Sequence, residues 1–305
     1  MGRYKTPLRY PGGKQRLTPF VREILQCNGG VETYVEPYAG GAGVAMELLL
    51  SRDIRRVYLN DSSRHIYAFW HSVKFDSEKL CRLIARASLS LTEWTRQREI
   101  VRRGHEHDLL SLGFATFYLN RCNRSGVLTA GVIGGKTQVG QWRIDARFPR
   151  NELVARIEAI ALRADDIRVS NCDAENFIVR TVNKLGKKTL VYCDPPYYER
   201  AERLYLNAYK PQDHQRVARV IQDKLRHPWI VSYDAHAEIR QLYKARRKFV
   251  YSIQYSAIKA CAGREVFIFS DQLNIPRTSK LPYLHAALAS AGRQVRPFSA
   301  RRSSP

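Results

Sequence analysis

Long apolar runs are missing from this 305-residue chain, and none approaches the roughly 18 residues that a membrane-spanning helix needs. No apolar block follows Met1-Gly2-Arg3-Tyr4-Lys5, so no secretory signal is read there. A cytoplasmic protein without a membrane partner is expected. Cysteine pairs are missing as well: Cys27, Cys81, Cys122, Cys172, Cys193 and Cys261 stand singly, with no Cys-x-x-Cys and no histidine spacing to complete a zinc site. That pattern argues for reduced thiols and no bound metal. Neither a Gly-x-Gly-x-x-Gly fingerprint nor a complete Gly-x-x-x-x-Gly-Lys-Ser/Thr P-loop is found, which speaks against dinucleotide or phosphate cradling. There is no internal repeat and no nuclease constellation. Acid is scarce: 28 Asp and Glu face 51 Lys and Arg, a net charge of +23. Such an excess favours a polyanionic partner through counterion release, although charge alone does not separate DNA from RNA.

What is present alternates. Short β-rich runs, Thr33–Glu36, Arg56–Asn60, Ile167–Ser170, Thr189–Cys193 and Trp229–Tyr233, are interleaved with helical patterns, which predicts an α/β fold with a mostly parallel sheet. Two further runs, Phe249–Tyr255 and Glu265–Ser270, lie close enough together to suit an antiparallel pair. The spacing predicts sheet-covering helices over Gln212–Arg226 and Glu152–Ala164. The alternation breaks between residues 74 and 150. There Ser90–Asn120 reads as helical, and Gly126–Trp142 mixes five glycines with β-formers and reads as a ribbon or hairpin. Residues 121–150 hold Arg121, Arg124, Lys136, Arg143, Arg147 and Arg150 but only one acid, Asp145. The expected organisation is a catalytic domain of residues 1–73 and 151–275, an inserted substrate-touching domain of 74–150, and a basic, partly disordered tail of 276–305.

Four segments carry candidate chemistry. Asp194-Pro195-Pro196-Tyr197 directly follows the apolar run Leu190-Val191-Tyr192-Cys193, at the strand end where open α/β sheets bind ligands. The proline pair withholds two N–H donors and leaves carbonyl acceptors. An aromatic amine, whose lone pair is delocalised, needs acceptors on its hydrogens before it can attack. Asp194 and a proline-segment carbonyl would supply them, with Tyr197 stacking on a base drawn out of the helix. The plainer reading is a strand-ending turn with an exposed acid. Tyr34-Val35-Glu36-Pro37-Tyr38-Ala39-Gly40-Gly41-Ala42-Gly43 is a strand and glycine-rich turn leading into a helix, suited to close approach by a nucleoside cofactor. Asp61, after the next strand, fits a ribose-binding acid or equally a helix N-cap. Pro11-Gly12-Gly13-Lys14 allows backbone approach and offers a lysine to a carboxylate, or is simply a turn with a surface lysine.

In this order the four segments resemble the DNA adenine methylase family of the D12 class, with the motif order called alpha. The resemblance runs from residue 7 to about 272. It implies a Rossmann-like methyltransferase fold, a seven-stranded mostly parallel sheet with an antiparallel last strand, and a helical and β-ribbon target-recognition insert. It implies S-adenosylmethionine as cofactor, with Lys14, Glu36, and Gly40, Gly41 and Gly43 of the turn lining its methionine end, and Tyr10, Pro37 and Tyr38 also binding it. Asp61 would hold its ribose, and Asp173 and Ala174 would stand near its adenine, with Phe177 either supporting that pocket or lying in the core. Asp194, Pro195, Pro196 and Tyr197 fall on catalytic positions, and Ser232-Tyr233-Asp234 flanks the target-base pocket. In the insert, Phe117-Tyr118-Leu119-Asn120-Arg121 resembles the family's Leu-x-x-Asn-Arg stretch. Asn120, Arg121, Arg124, Lys136 and Arg143 are therefore the residues expected at DNA. Residues 127–135 depart from the family members that read GATC, so no target sequence carries over. The expected reaction is N6 methylation of a flipped adenine in double-stranded DNA by a monomer. A methylase of structured RNA and a non-catalytic DNA-binding relative are the alternatives, and a ribbon able to enter the major groove favours DNA.

Overall fold

The computed structural model describes residues 5–9, 14–198, 209–255 and 261–276. Tyr10, Pro11, Gly12, Gly13 and the tail from residue 277, all part of the expectations above, lie outside the described residues. All seven expected strands form: β1 (Thr33–Glu36), β2 (Arg56–Asn60), β3 (Ile167–Ser170), β4 (Thr189–Cys193), β5 (Trp229–Asp234), β6 (Arg247–Tyr255) and β7 (Cys261–Phe269). They make one sheet in the order β3-β2-β1-β4-β5-β7-β6. The first five pair in parallel, and β7 lies antiparallel to both β5 and β6.

Alternation along the strands explains why this sheet is covered on both faces. Tyr34, Leu190, Tyr192, Ile230 and Phe267 point into one apolar cluster, and Val35, Val191, Cys193, Val231 and Val266 point into another. The first cluster is completed by α1 (Thr18–Cys27), α2 (Gly43–Leu50), α3 (Arg64–Phe75) and α7 (Arg150–Ala161), through Val21, Leu48, Phe69 and Ile157. The second takes Phe177 and Ile178 from α8 (Ala174–Arg180), Val217 from α9 (Pro211–Arg219) and Ile239 from α10 (Ala237–Leu242). The helix expected over Gln212–Arg226 passes from α9 into one π-turn, Val220–Lys224. Among the described residues, no helix is long and apolar enough to cross a membrane.

The segment 74–150 begins as three helices, α4 (Ser77–Arg86), α5 (Leu91–Arg102) and α6 (Leu109–Cys122). Helix α6 is buried from Leu112 to Cys122, and its Phe117 stacks on Phe69 of α3 with ring centroids 5.9 Å apart, so the insert shares the first cluster. The ribbon expected over Gly126–Trp142 is not there. The segment instead forms a short 3-10 turn, Arg124–Gly126, one isolated bridge between Asn123 and Val132, and a run of turns. The reason lies in side-chain amides that take the carbonyls a ladder would use. Asn123 Nδ2 donates to the carbonyls of Val127 and Leu128, and Gln138 Nε2 donates to those of Ile133 and Gly135.

Asn120 and Arg121 also depart from expectation. Asn120 is 3% exposed. Its Oδ1 accepts from the Arg9 amide at 2.7 Å, and its Nδ2 donates to the carbonyls of Arg9 and Gly126 at 2.6 and 2.9 Å. Gly126 has φ +77, and a Cβ there would stand 2.3 Å from the Arg9 carbonyl, so only glycine fits. Arg121 is buried too, its Nε donating to the Arg147 carbonyl, and burial among other arginines lowers its pKa to about 9. Both residues are internal clamps rather than DNA contacts: they hold the segment 5–9 against the insert, while Thr6 donates to the Gly41 carbonyl at 2.5 Å. Asn120→Ala strands two carbonyls and an amide of this clamp. It should lower unfolding free energy by about 2–3 kcal/mol, read from urea denaturation; an unchanged midpoint would refute the clamp.

Candidate active site

Strands β1 and β4 are parallel neighbours, with Val35 opposite Val191, so the glycine turn after β1 and the proline loop after β4 leave the sheet side by side. The same edge carries the loops after β2 and β3, and Asn60, fully buried, joins three of them. Its Nδ2 donates to the carbonyls of Pro37 and Cys172 at 3.0 Å each, and its Oδ1 accepts from the Cys172 amide. No sequence motif singled out Asn60; a buried polar residue ending an apolar strand was the available signal.

In the glycine turn Gly40 and Ala42 both have φ +44. The turn is fixed from two sides. Asp61 accepts from the Gly40 amide at 2.9 Å, and Trp70 Nε1 donates to the Gly40 carbonyl at 2.9 Å. The other Asp61 oxygen accepts from the Ser63 amide just ahead of α3, so this acid links the turn to a helix start. Asp173 caps α8, accepting from the amides of Glu175 and Asn176, and stays exposed at the end of β3. Ala174 and Phe177 are buried, Phe177 within the second apolar cluster. Tyr38 is half-buried, its ring 6.3 Å from that of Tyr209.

Glu36 lies beneath this turn, 4% exposed, accepting only weakly from the Ala45 amide at 3.3 Å. Burial first, and the nearby Asp194 carboxylate second, push its pKa up to about 8. Burial likewise raises Asp61 to about 6 against the bonds from Gly40 and Ser63.

The proline loop is tied to β5 and β7. Asp194 Oδ1 accepts from Ser232 Oγ at 2.6 Å, and Ser232 in turn accepts from the Tyr192 hydroxyl at 2.9 Å. The Tyr198 amide donates to Asp234 at 2.9 Å. Ser232 and Asp234 thus hold the loop. Pro195 is buried and Pro196 half-buried. The Asp194 side chain keeps 26% exposure, and among the described residues its Oδ2 accepts no hydrogen bond.

Lys14 is not a surface lysine: it is 6% exposed. Its ammonium donates to both oxygens of Glu265, at 2.8 and 2.7 Å, and to the Tyr197 hydroxyl at 3.1 Å, and lies 3.4 Å from Asp194 Oδ1. Tyr197 donates to Glu265 Oε1 at 2.8 Å, and Tyr251 donates to Oε2. The expectation for Tyr197 needs correction here, because its ring is 2% exposed and belongs to this cluster instead of offering an open stacking face. Glu265, fully buried, was read only as the start of a strand. A lone acid ahead of Val266-Phe267-Ile268-Phe269 was its signal. Burial raises Asp194 to about 6, with Lys14 opposing and Glu265 reinforcing the shift. Of the expected DNA contacts, Arg124, Lys136 and Arg143 are exposed, and beside them Arg147 covers the ring of Trp142 at 5.3 Å.

The raised acids make a sign prediction. A folded-state pKa above the unfolded value contributes stability that is present below the unfolded pKa and lost as pH rises through the folded one. For Glu36 that window runs from its ordinary 4.5 to about 8. The protein should therefore lose stability between these pH values, and Glu36→Gln should flatten the slope and raise the thermal midpoint at pH 8. Parallel pH profiles for wild type and variant would contradict it.

A family model described as D12 class N6 adenine-specific DNA methyltransferase matches residues 10–257. No curated protein matches. Among solved structures, the chain is distantly similar to a modification subunit of a type I restriction enzyme from Vibrio vulnificus YJ016. That likeness has 9% identity and a TM-score of 0.34, covering 83% of this chain but 43% of the other, so the chain spans less than half of that subunit. It is also similar to protein LPL1258 from Legionella pneumophila, with 12% identity, a TM-score of 0.32, and coverage of 86% and 83%. At these scores neither structure bears on function. Among the described residues, the glycine turn, Asp61 and the proline loop lie at one edge of the sheet, and the family match covers most of the chain: this protein belongs to the D12 class of N6 adenine-specific DNA methyltransferases.

Proposed function

We propose that the protein transfers a methyl group from S-adenosylmethionine to the exocyclic amine of an adenine drawn out of duplex DNA. The observation that carries this reading is Asp194. It is a carboxylate held by Ser232 through one oxygen, with side-chain surface still open, beside the glycine turn that follows β1.

The residues at that turn fit the cofactor. Glu36 is a buried acid with no cation paired to it among the described residues, and its raised pKa marks a place where a positively charged ligand would be welcome. Asp61 offers ribose hydroxyls an acceptor already oriented by two amides, and Asp173, exposed beyond β3, stands where the cofactor adenine would lie. Pro37, Tyr38, Gly40, Gly41 and Gly43 would form the wall between them, with Ala174 below Asp173. Bound there, S-adenosylmethionine supplies an electrophilic sulfonium methyl.

The chain's own part is to prepare the nucleophile. Asp194 Oδ2 would accept one hydrogen of the adenine amine and a carbonyl of Pro195 or Pro196 the other, drawing the nitrogen toward a tetrahedral shape with its lone pair aimed at the methyl. Proline nitrogens carry no hydrogen, so nothing in that stretch competes as a donor. Asp194 must be ionised to accept, so activity falls as pH drops through about 6, where its carboxyl titrates.

Without a ribbon over 126–142, family membership is what supports DNA over RNA. Arg124, Lys136 and Arg143, exposed on the loop of the insert, are the surface for phosphates. Asp194→Ala should abolish methyl transfer to duplex DNA while leaving S-adenosylmethionine binding within about threefold by calorimetry; turnover by a folded Asp194→Ala protein would refute its role. The pair Lys136→Ala and Arg143→Ala should weaken DNA binding regardless of sequence and reduce the log–log salt slope by about two. A slope equal to that of wild type would remove these residues from the interface.

A further inference from the structure

The ammonium of Lys14 poses a problem for the proposed chemistry. It lies 3.4 Å from Asp194 Oδ1, in surroundings with little water, where a cation and a carboxylate attract strongly. A carboxylate captured by an ammonium is a poor acceptor for an amine. What prevents capture is a second carboxylate, Glu265, on β7. Its side chain is fully buried, and both its oxygens face Lys14 at 2.7–2.8 Å. Glu265 is itself fixed by two phenols, Tyr197 through Oε1 and Tyr251 through Oε2. The antiparallel pairing of β7 with β5 sets Val266 opposite Tyr233 and Glu265 opposite Asp234, which brings this acid beside the strand end that carries Ser232.

We propose that Glu265 is a positioning residue for methyl transfer: it anchors the Lys14 ammonium and the Tyr197 hydroxyl on itself, so that Asp194 stays available to the target amine. This rests on the function proposed above and adds a residue that touches neither amine nor methyl donor. Among the described residues, the groups near Asp194 are Lys14 ahead of α1, Glu265 on β7, Tyr251 on β6, Ser232 on β5, Tyr192 and Cys193 on β4, and Tyr34 and Glu36 on β1. Of these, Lys14 lowers and Glu265 raises the Asp194 pKa, after burial. Replacing Glu265 by a neutral amide removes the one and releases the other toward Asp194, so both changes move Asp194 downward. Glu36, shifted by burial and by Asp194, has no direct part in the substitution.

The test compares full-length wild type and Glu265→Gln, using S-adenosylmethionine with a radiolabelled methyl and duplex DNA free of N6-methyladenine. Initial rates are taken from pH 5 to 9. The expected result is a kcat lower by about tenfold or more, a cofactor KM changed by less than about threefold, and an acid limb moved down by about one pH unit. A reduced rate with an unmoved limb would make Glu265 a packing residue only and overturn the proposal, as would an unchanged rate. If Glu265→Gln does not fold, Glu265→Asp decides: the shortened anchor should move the limb in the same direction by less, and an unmoved limb overturns the proposal. A wild type that labels no DNA overturns the proposed function together with this inference, whereas an active wild type whose limb is insensitive to residue 265 overturns this inference alone.

Discussion

One ammonium between two carboxylates organises the candidate site. Lys14 comes from ahead of the first helix, Asp194 from the end of β4, and Glu265 from β7, so the contact ties together pieces of chain more than 60 residues apart in sequence. Burying three charges is costly unless each is paired and hydrogen-bonded. Here Glu265 takes the ammonium and two phenols, and Asp194 takes a serine that is itself bonded to Tyr192. The cluster therefore orients its members while leaving Asp194, alone among them, with a quarter of its side-chain surface open.

Around this cluster the sheet supplies registration. Parallel strands place their following loops along one edge, and Asn60 and Asp61 bind the first three loops to one another with backbone hydrogen bonds. The clamp at Asn120 extends the same logic outward. It fixes residues 5–9, which touch both the Gly41 carbonyl and the insert, so one hydrogen-bonded segment joins the insert to the glycine turn.

The sheet was legible because its strands are short apolar runs with helical patterns between them, a signal that survives whatever the tertiary context. The positions of Glu36, Asp61 and Asp194 were legible because Glu36 ends a strand and the other two directly follow strands, at the edge where such sheets bind ligands. The ribbon was misread. Val127, Val132, Ile133 and Val139 do favour strands, but Asn123 and Gln138 satisfy the local carbonyls first, and hydrogen-bonded amides of this kind leave no periodic trace. Asn120 and Arg121 were misread because a resemblance to the family's Leu-x-x-Asn-Arg stretch put them at DNA, whereas their burial arises from the packing of α6 against α3. Glu265 escaped notice for a related reason: its partners Lys14, Tyr197 and Tyr251 come from three separate segments, and only the folded chain brings them together.

On the function proposed above, this edge of the sheet makes an adenine amine in DNA nucleophilic. The most direct test supplies the protein with S-adenosylmethionine carrying a trideuterated methyl group and with duplex DNA, then digests the DNA and resolves its nucleosides by mass spectrometry. The account predicts deuterated methyl on N6 of deoxyadenosine. Label on deoxycytidine, or on adenosine of added RNA with none in the DNA, would contradict it.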